Sequence, residues 1–196
     1  MLIINREGES DLVVNKSKFF GYTVKVESKN EFVSRLEYIK NKNSSASHVA
    51  FAYKIKNFKN NNVETNFYDA GEPSGTAGKP ILNILETRGI INSAIMVVRY
   101  YGGVNLGTGG LSRAYAKTAI LALSCSSLIK YIEFFKYKLI FKYNMLDIIS
   151  NVIYKNNGVI IDKFFDEDIS ITAELTSTAA QLIITKYPNV KVKLKH

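Results

Sequence analysis

The stretch AIMVVRYYGGVNLGTGGLSRAYAKTAILAL, Ala94 to Leu123, holds a strand, a glycine-rich loop and a helix in succession. Ala94 to Tyr101 is apolar at neighbouring positions, the mark of a strand covered on both faces. From Leu111 to Leu123 the pattern changes, and Leu111, Ala114, Tyr115, Thr118 and Ala122 recur at helical spacing on one side. A strand that feeds a helix through a loop places that helix against a sheet, so the region reads as an α/β or α+β domain. Upstream the alternation continues. Phe19 to Val26 reads as a strand, and Glu31 to Lys42 as a helix with Phe32, Leu36 and Ile39 on one side. Val49 to Ile55 reads as a strand, preceded by Ser47 and His48. Asn57 to Asn66 reads as a polar, mobile loop. Lys79 to Thr87 reads as a helix whose Pro80 suits its first turn.

Downstream, helical periodicity stops near residues 126 to 132 and a second pattern begins, which divides the chain into domains 1–128 and 132–196. Phe134 to Tyr143, FFKYKLIFKY, alternates apolar and basic residues, as a strand with one wet face does. Met145 to Asn156 carries a helical stripe, and Asn156-Asn157-Gly158 supplies a left-handed stop. Val159 to Phe165 and Ile169 to Leu175 form a hairpin around Asp166-Glu167-Asp168. Thr176 to Lys186 is a helix with a Ser/Thr cap, ending before Pro188, and Val190 to Leu194 is a last strand. The order is βαββαβ, the split unit of ferredoxin-like domains, and the fold class is α+β.

The net charge is +9 and the 26 basic residues include only five arginines. Lysine, asparagine and isoleucine are abundant together, so much of the charge reads as solvated surface rather than a nucleic-acid footprint. Three of the arginines, Arg88, Arg99 and Arg113, fall close together in the chain. An arginine in a lysine-rich chain suggests a bidentate contact that lysine cannot copy. No apolar run approaches the roughly 18 residues of a membrane span, and the first residues lack the pattern of a secretory signal, so the expected location is cytoplasmic. The lone Cys125 lies among small residues and is expected to be a buried thiol.

Nine of the twelve glycines fall between Gly71 and Gly110, and all of these but Gly89 lie in two segments that each lead into a helix. Free N–H groups at a helix start attract phosphate or carboxylate, and glycine lets the backbone approach it. The candidate anion or partner site is therefore Asp69, Gly71, Glu72, Gly75, Thr76 and Gly78 in the first segment. In the second it is Arg99, Gly102, Gly103, Gly107, Gly109, Gly110 and Arg113, with Arg113 on the first turn of its helix. Accessory candidates are His48, Tyr100 and Tyr101, and the basic strand residues Lys136, Lys138 and Lys142. Neither segment has P-loop or dinucleotide spacing. No Ser-His-Asp set has supporting spacing, and one internal histidine with scattered carboxylates makes no metal site. Neither a cofactor nor a catalytic residue is expected.

The two segments, DAGEPSGTAG (Asp69 to Gly78) and RYYGGVNLGTGGLSRAY (Arg99 to Tyr115), resemble the signature of the IMPACT family, in particular its bacterial YigZ-type members. Ser17-Lys18-Phe19 and Ala46-Ser47-His48 are similar to family features as well. The departure is Ala70, where the family pattern has a second Asp, and its loss removes any mechanism that needs an acidic pair. The resemblance implies an N-terminal domain similar to the second domain of ribosomal protein S5 and a C-terminal ferredoxin-like domain. It also implies a role in the regulation of translation, as for the eukaryotic relatives, with RNA, the ribosome or a translation-associated protein as partner. Two other readings stay open. One is a small-molecule or phosphoryl-transfer enzyme using Glu72 and His48. The other is a protein–protein adaptor anchored by Tyr100, Tyr101 and Tyr115. Oligomeric state is not legible from the residues.

Overall fold

A computed structural model describes residues 1–56 and 62–195. The chain divides into two compact units, Met1–Tyr131 and Ile132–His196.

The first unit is built on a five-stranded antiparallel sheet. Its strands are β2 (Gly8–Val14), β3 (Ser17–Lys25), β4 (His48–Lys56), β5 (Val63–Tyr68) and β6 (Ser93–Tyr100), in the spatial order β2-β3-β6-β4-β5. Strand β6 lies at the centre. Its Ile95 and Val97 face one core and its Ala94, Met96 and Val98 the other, which is why it is apolar without interruption. Continuous apolar strands are usual in parallel sheets, but an antiparallel strand shows the same pattern when helices cover both faces. Helix α1 (Lys29–Lys42) supplies Phe32 and Ile39 to one core. Its start is fixed by Ser28, whose hydroxyl accepts from the Glu31 N–H. Helices α2 (Gly78–Thr87) and α3 (Gly107–Ser124) cover the other face, with Ile81, Leu85, Leu111, Tyr115 and Ala119 buried there. A separate two-stranded ribbon pairs β1 (Leu2–Arg6) with β7 (Ser127–Lys130).

The second unit runs β8 (Phe135–Phe141), α4 (Leu146–Lys155), β9 (Val159–Phe165), β10 (Ile169–Leu175), α5 (Ser177–Lys186) and β11 (Lys191–Leu194). Its strands are antiparallel in the order β11-β8-β10-β9. Ile169, Ile171, Ala173 and Leu175 of β10 alternate inward against Ile149, Ile153 and Ile183 of the two helices. These elements match the expected spans to within about two residues. The Thr176 hydroxyl caps α5 by accepting from the Ala179 N–H.

Four expectations for the first unit change. Part of the loop expected from Asn57 to Asn66 falls on residues 57–61, outside the described residues, and its end is strand β5, held in register by β4. Helix α3 begins at Gly107, so Gly107, Gly109 and Gly110 form its first turn and Arg113 lies on its second. The first turn of a helix makes few intrahelical bonds, so glycine there costs little of the usual penalty. Cys125 caps the end of α3 and is exposed, because the apolar face of that helix ends at Leu123. Strands β1, β2 and β7 are additions.

Candidate functional site

Asp69 follows directly on β5, and its side chain points at the start of α2. One carboxylate oxygen accepts from the N–H groups of Ala77 at 3.0 Å and Gly78 at 2.8 Å, and the other from Gly75 at 2.9 Å. The first glycine segment is thus an anion cradle already occupied by a carboxylate of its own chain. Thr76 closes the turn, donating from both its N–H and its hydroxyl to the Pro73 carbonyl. Gly71 and Gly75 carry the chain through left-handed angles, φ +83 and +75. Gly78 is needed for room, since a Cβ there would sit 2.7 Å from the Tyr68 backbone nitrogen.

Glu72, in the same loop, is 9% exposed and Arg99, at the end of β6, is 4% exposed. Arg99 Nη1 donates to Glu72 Oε1 at 2.7 Å. The Tyr115 hydroxyl of α3 donates to the same oxygen at 2.8 Å, and His48 Nε2 stands 3.9 Å from it. His48 Nδ1 donates to the Ala70 carbonyl at 2.8 Å, which places its proton on that nitrogen. Burial, with the Glu72 carboxylate beside it, pushes the Tyr115 phenol far above its ordinary range, so it stays a donor. Arg99 Nε is buried with no partner, and the guanidinium lies 5.2 Å from the Tyr101 ring and 5.5 Å from the Phe19 ring. Arg99, expected to meet a partner's phosphate or carboxylate, is instead turned inward on Glu72. The chain's own carboxylates answer both of its attractive features.

Ser17 joins the second glycine segment to this knot. Its buried hydroxyl accepts from Arg99 Nη2 at 3.3 Å and from the Gly102 N–H at 3.2 Å. A Cβ at Gly102 would lie 2.1 Å from the Lys16 carbonyl carbon, so only glycine lets these backbones touch. Between β2 and β3 the turn is Asn15-Lys16, both at positive φ (45 and 66), with Val14 opposite Ser17. That is the tight hairpin geometry that suits strand twist. Gly103 and Gly107 also take left-handed angles. The knot therefore fixes where the hairpin tip, and Lys16 with it, is held.

Residues 15–123 match the Impact N-terminal domain family. The chain belongs to the IMPACT family. The matched span opens at the hairpin tip and encloses every member of the knot, from Ser17 to Tyr115. Similar proteins include IMPACT family member YigZ of Escherichia coli (strain K12), 32% identical over 165 residues, which are 83% of this chain and 79% of that protein. IMPACT family member YvyE of Bacillus subtilis (strain 168) is 37% identical over 115 residues, 59% of this chain, and the match spans only about half, 52%, of YvyE. A solved structure described as a hypothetical protein aligns with 100% of this chain and 97% of its own, with a TM-score of 0.70 at 24% identity, a likeness of fold.

In this IMPACT chain, Ala70 adopts φ +55 at the position where the resemblance implies a second Asp. Aspartate tolerates that region better than alanine does, so the departure costs conformational strain as well as a carboxylate. Of the accessory candidates, Tyr100 is half-buried and its hydroxyl donates to Asn43 Oδ1 at 3.1 Å. Tyr101 is 47% exposed, and its N–H donates to Ser47. Lys136 and Lys138 are exposed on β8 in the second unit, whereas Lys142 is engaged by Asp168 at 2.7 Å. Arg113 is exposed, one turn from Lys117. Sequence reasoning placed Tyr115 inward but missed its hydrogen bond to Glu72, and it missed Lys16, Lys117 and the bridging hydroxyl of Ser17. A two-residue turn, Asn15-Lys16, between Leu12-Val13-Val14 and Phe19-Phe20 was the available signal for the hairpin. Among the described residues no cluster of three or more His, Cys, Asp or Glu side chains could hold a metal, and no helix is long and apolar enough to cross a membrane.

Proposed function

We propose that this chain is a cytoplasmic, non-enzymatic binding protein of the translation apparatus, and that its partner is RNA. The observation that carries the reading is a set of cations around the hairpin tip. Lys16, Lys18, Arg113 and Lys117 are all exposed, and none makes a salt bridge among the described residues. Asn15 and Gly110 line one cleft with Arg113 and Lys117, and Lys16 and Lys18 line another. Exposed, unpaired cations gathered at one locus suit a phosphate backbone, whose contacts need charge more than precise geometry. The first glycine segment is closed on its own Asp69, and the second supplies Arg113 and Gly110 to this locus. The enzyme reading, which rests on Glu72 and His48, loses support, because Glu72 is committed to Arg99 and Tyr115 and His48 Nδ1 to the Ala70 carbonyl.

The domain reading goes with it. The antiparallel order β11-β8-β10-β9 supports a ferredoxin-like domain over 132–196, whose exposed Lys136 and Lys138 would add nonspecific attraction. The sheet with helices on both faces supports an S5 domain 2-like unit before it. We place the boundary after Tyr131, since β7 pairs with β1. The link to translation comes from the eukaryotic IMPACT relatives.

The test is RNA binding by fluorescence anisotropy across a salt titration. Arg113→Ser with Lys117→Ser should lower the magnitude of the slope of log K against log salt by about 0.7 per lost phosphate contact. Absence of RNA binding at low salt would overturn the reading.

A further inference from the structure

We infer that a cleft between the end of α1 and the outer face of β3 and β6 binds single-stranded RNA, with its phosphates on Lys16 and Lys18 and a base stacked on Tyr101. The inference rests on the RNA reading above and names the form of RNA and the place it sits. The cleft has a volume of about 660 Å³, within the range of roughly 300–1,000 Å³ usual for ligand sites.

Helix α1 covers the middle of the sheet but leaves the end of β3 and β6 open. There Lys18 stands directly opposite Tyr100. Phe20, next along the same face, packs edge-on to Tyr100 with ring centroids 5.8 Å apart. Lys42, from the last turn of α1, lies 5.0 Å over the Tyr22 ring and 3.3 Å from Glu9. The floor is therefore aromatic and its rim basic. Counting the charged residues that line it, three lysines against Glu9 leave a charge of 3 − 1 = +2. Glu9 is moreover the partner of Lys42, so the two lysines left unpaired are Lys16 and Lys18. Unpaired lysines beside one exposed ring, Tyr101, suit a strand of phosphates and bases, where charge follows the backbone and a ring takes a base.

The form of RNA follows from which groups are already used. Asn43 is buried, donating to the Ile39 carbonyl and accepting from Tyr100, and Glu9 is paired with Lys42. Among the described residues lining the cleft, neither the one amide nor the one carboxylate is therefore presented to read a base. Tyr101 is the most exposed ring of the cleft and its hydroxyl donates to Asn105. Stacking without edge readout tolerates any base but needs an unpaired one, because a duplex hides its base faces. Binding should thus discriminate single strand from duplex and hardly discriminate sequence. Lys16 holds φ +66, an uncommon angle for lysine, at the place where Gly102 grips its backbone. A strained residue held by its surroundings is a feature of functional sites.

The experiment uses the full chain and a fluorescent oligouridylate about 12 nucleotides long, free or annealed to its oligoadenylate complement. The single strand should bind at least about tenfold more tightly than the duplex, and oligoadenylate within about threefold of oligouridylate. Tyr101→Leu should weaken binding about tenfold with the salt slope unchanged, while Tyr101→Phe retains it. Lys16→Asn with Lys18→Ser should lower the magnitude of the slope by about 1.4, roughly 0.7 for each phosphate. Asparagine accepts the left-handed angle at residue 16, so that variant keeps the hairpin. Equal affinity for duplex, indifference to Tyr101→Leu, or equal competition by free uridylate or by polyglutamate would each overturn the inference. If wild type fails to bind RNA at all, the proposed function fails with it. If wild type binds and only Lys136→Ser with Lys138→Ser weakens it, the cleft alone is refuted.

Discussion

Replacing Glu72 by Gln asks whether the knot is structural. The substitution keeps the shape, and the amide oxygen still accepts from Tyr115 and Arg99, but the negative charge is gone. Arg99 is 4% exposed and its Nε already lacks a partner. Among the described residues Glu72 is the carboxylate it pairs with, so only Ser17 and the Phe19 and Tyr101 rings would remain to its charge. Removing one partner of a buried pair costs about 3–5 kcal/mol, and the retained hydrogen bonds bring the expectation to about 2–3 kcal/mol. Against a typical stability of about 5–15 kcal/mol that is a large fraction. Urea unfolding followed by tyrosine emission is practicable, as the chain has 12 tyrosines and no tryptophan. Hydrogen exchange of peptides from α3 assigns the loss to the first unit. In a double-mutant cycle with Tyr115→Phe, which removes the 2.8 Å hydrogen bond, the coupling should be about 1 kcal/mol. A loss under about 0.5 kcal/mol with zero coupling would refute the structural account and return Glu72 and Arg99 to the pool of ligand-binding groups.

Other expectations test single links of the same chain. Because the folded pKa of Tyr115 is raised, its contribution is intact below the unfolded tyrosine value near 10 and is lost above it. Stability should fall by about 1.4 kcal/mol per pH unit in that window, and Tyr115→Phe should remove that slope in alkaline unfolding curves. Gly102→Ala forces a Cβ to 2.1 Å from the Lys16 backbone and should cost more than about 2 kcal/mol in urea unfolding. Gly89→Ala, at φ +62 with open space around it, should cost only about 1 kcal/mol, and equal losses would sink the close-approach argument. Ala70→Asn should raise Tm by about 2–4 °C by relieving the angle at φ +55, whereas a lowered Tm in a thermal scan would show that Ala70 is not strained.

The second unit was legible because each of its signals is local. FFKYKLIFKY alternates, Asn156-Asn157-Gly158 stops a helix, and an acidic turn joins two β-branched runs. The central strand and helices of the first unit were legible for the same reason. Its edge strands were not. GESDLVV begins with polar residues, and VETNFY is exposed at every position, so both are strands only because β3 and β4 lend them hydrogen bonds. That information is nonlocal. The site shows a similar division. The motif located Asp69, Glu72 and Arg99, but spacing cannot say whether an arginine's carboxylate comes from a partner or from the same motif. Two acids within the first segment and an arginine at the head of the second were the hint that charge closes internally.

The triple acceptance by Asp69 has a consequence for what this surface can recruit. A foreign phosphate seeking those three N–H groups is in competition with a carboxylate joined to them through a short loop. A tether of that kind gives its group an effective concentration on the order of millimolar or more. Cellular anions at lower concentrations with only ordinary affinity are shut out. The α2 terminus is thereby insulated from free phosphate in solution, and recruitment is left to groups that no residue of the chain has already claimed.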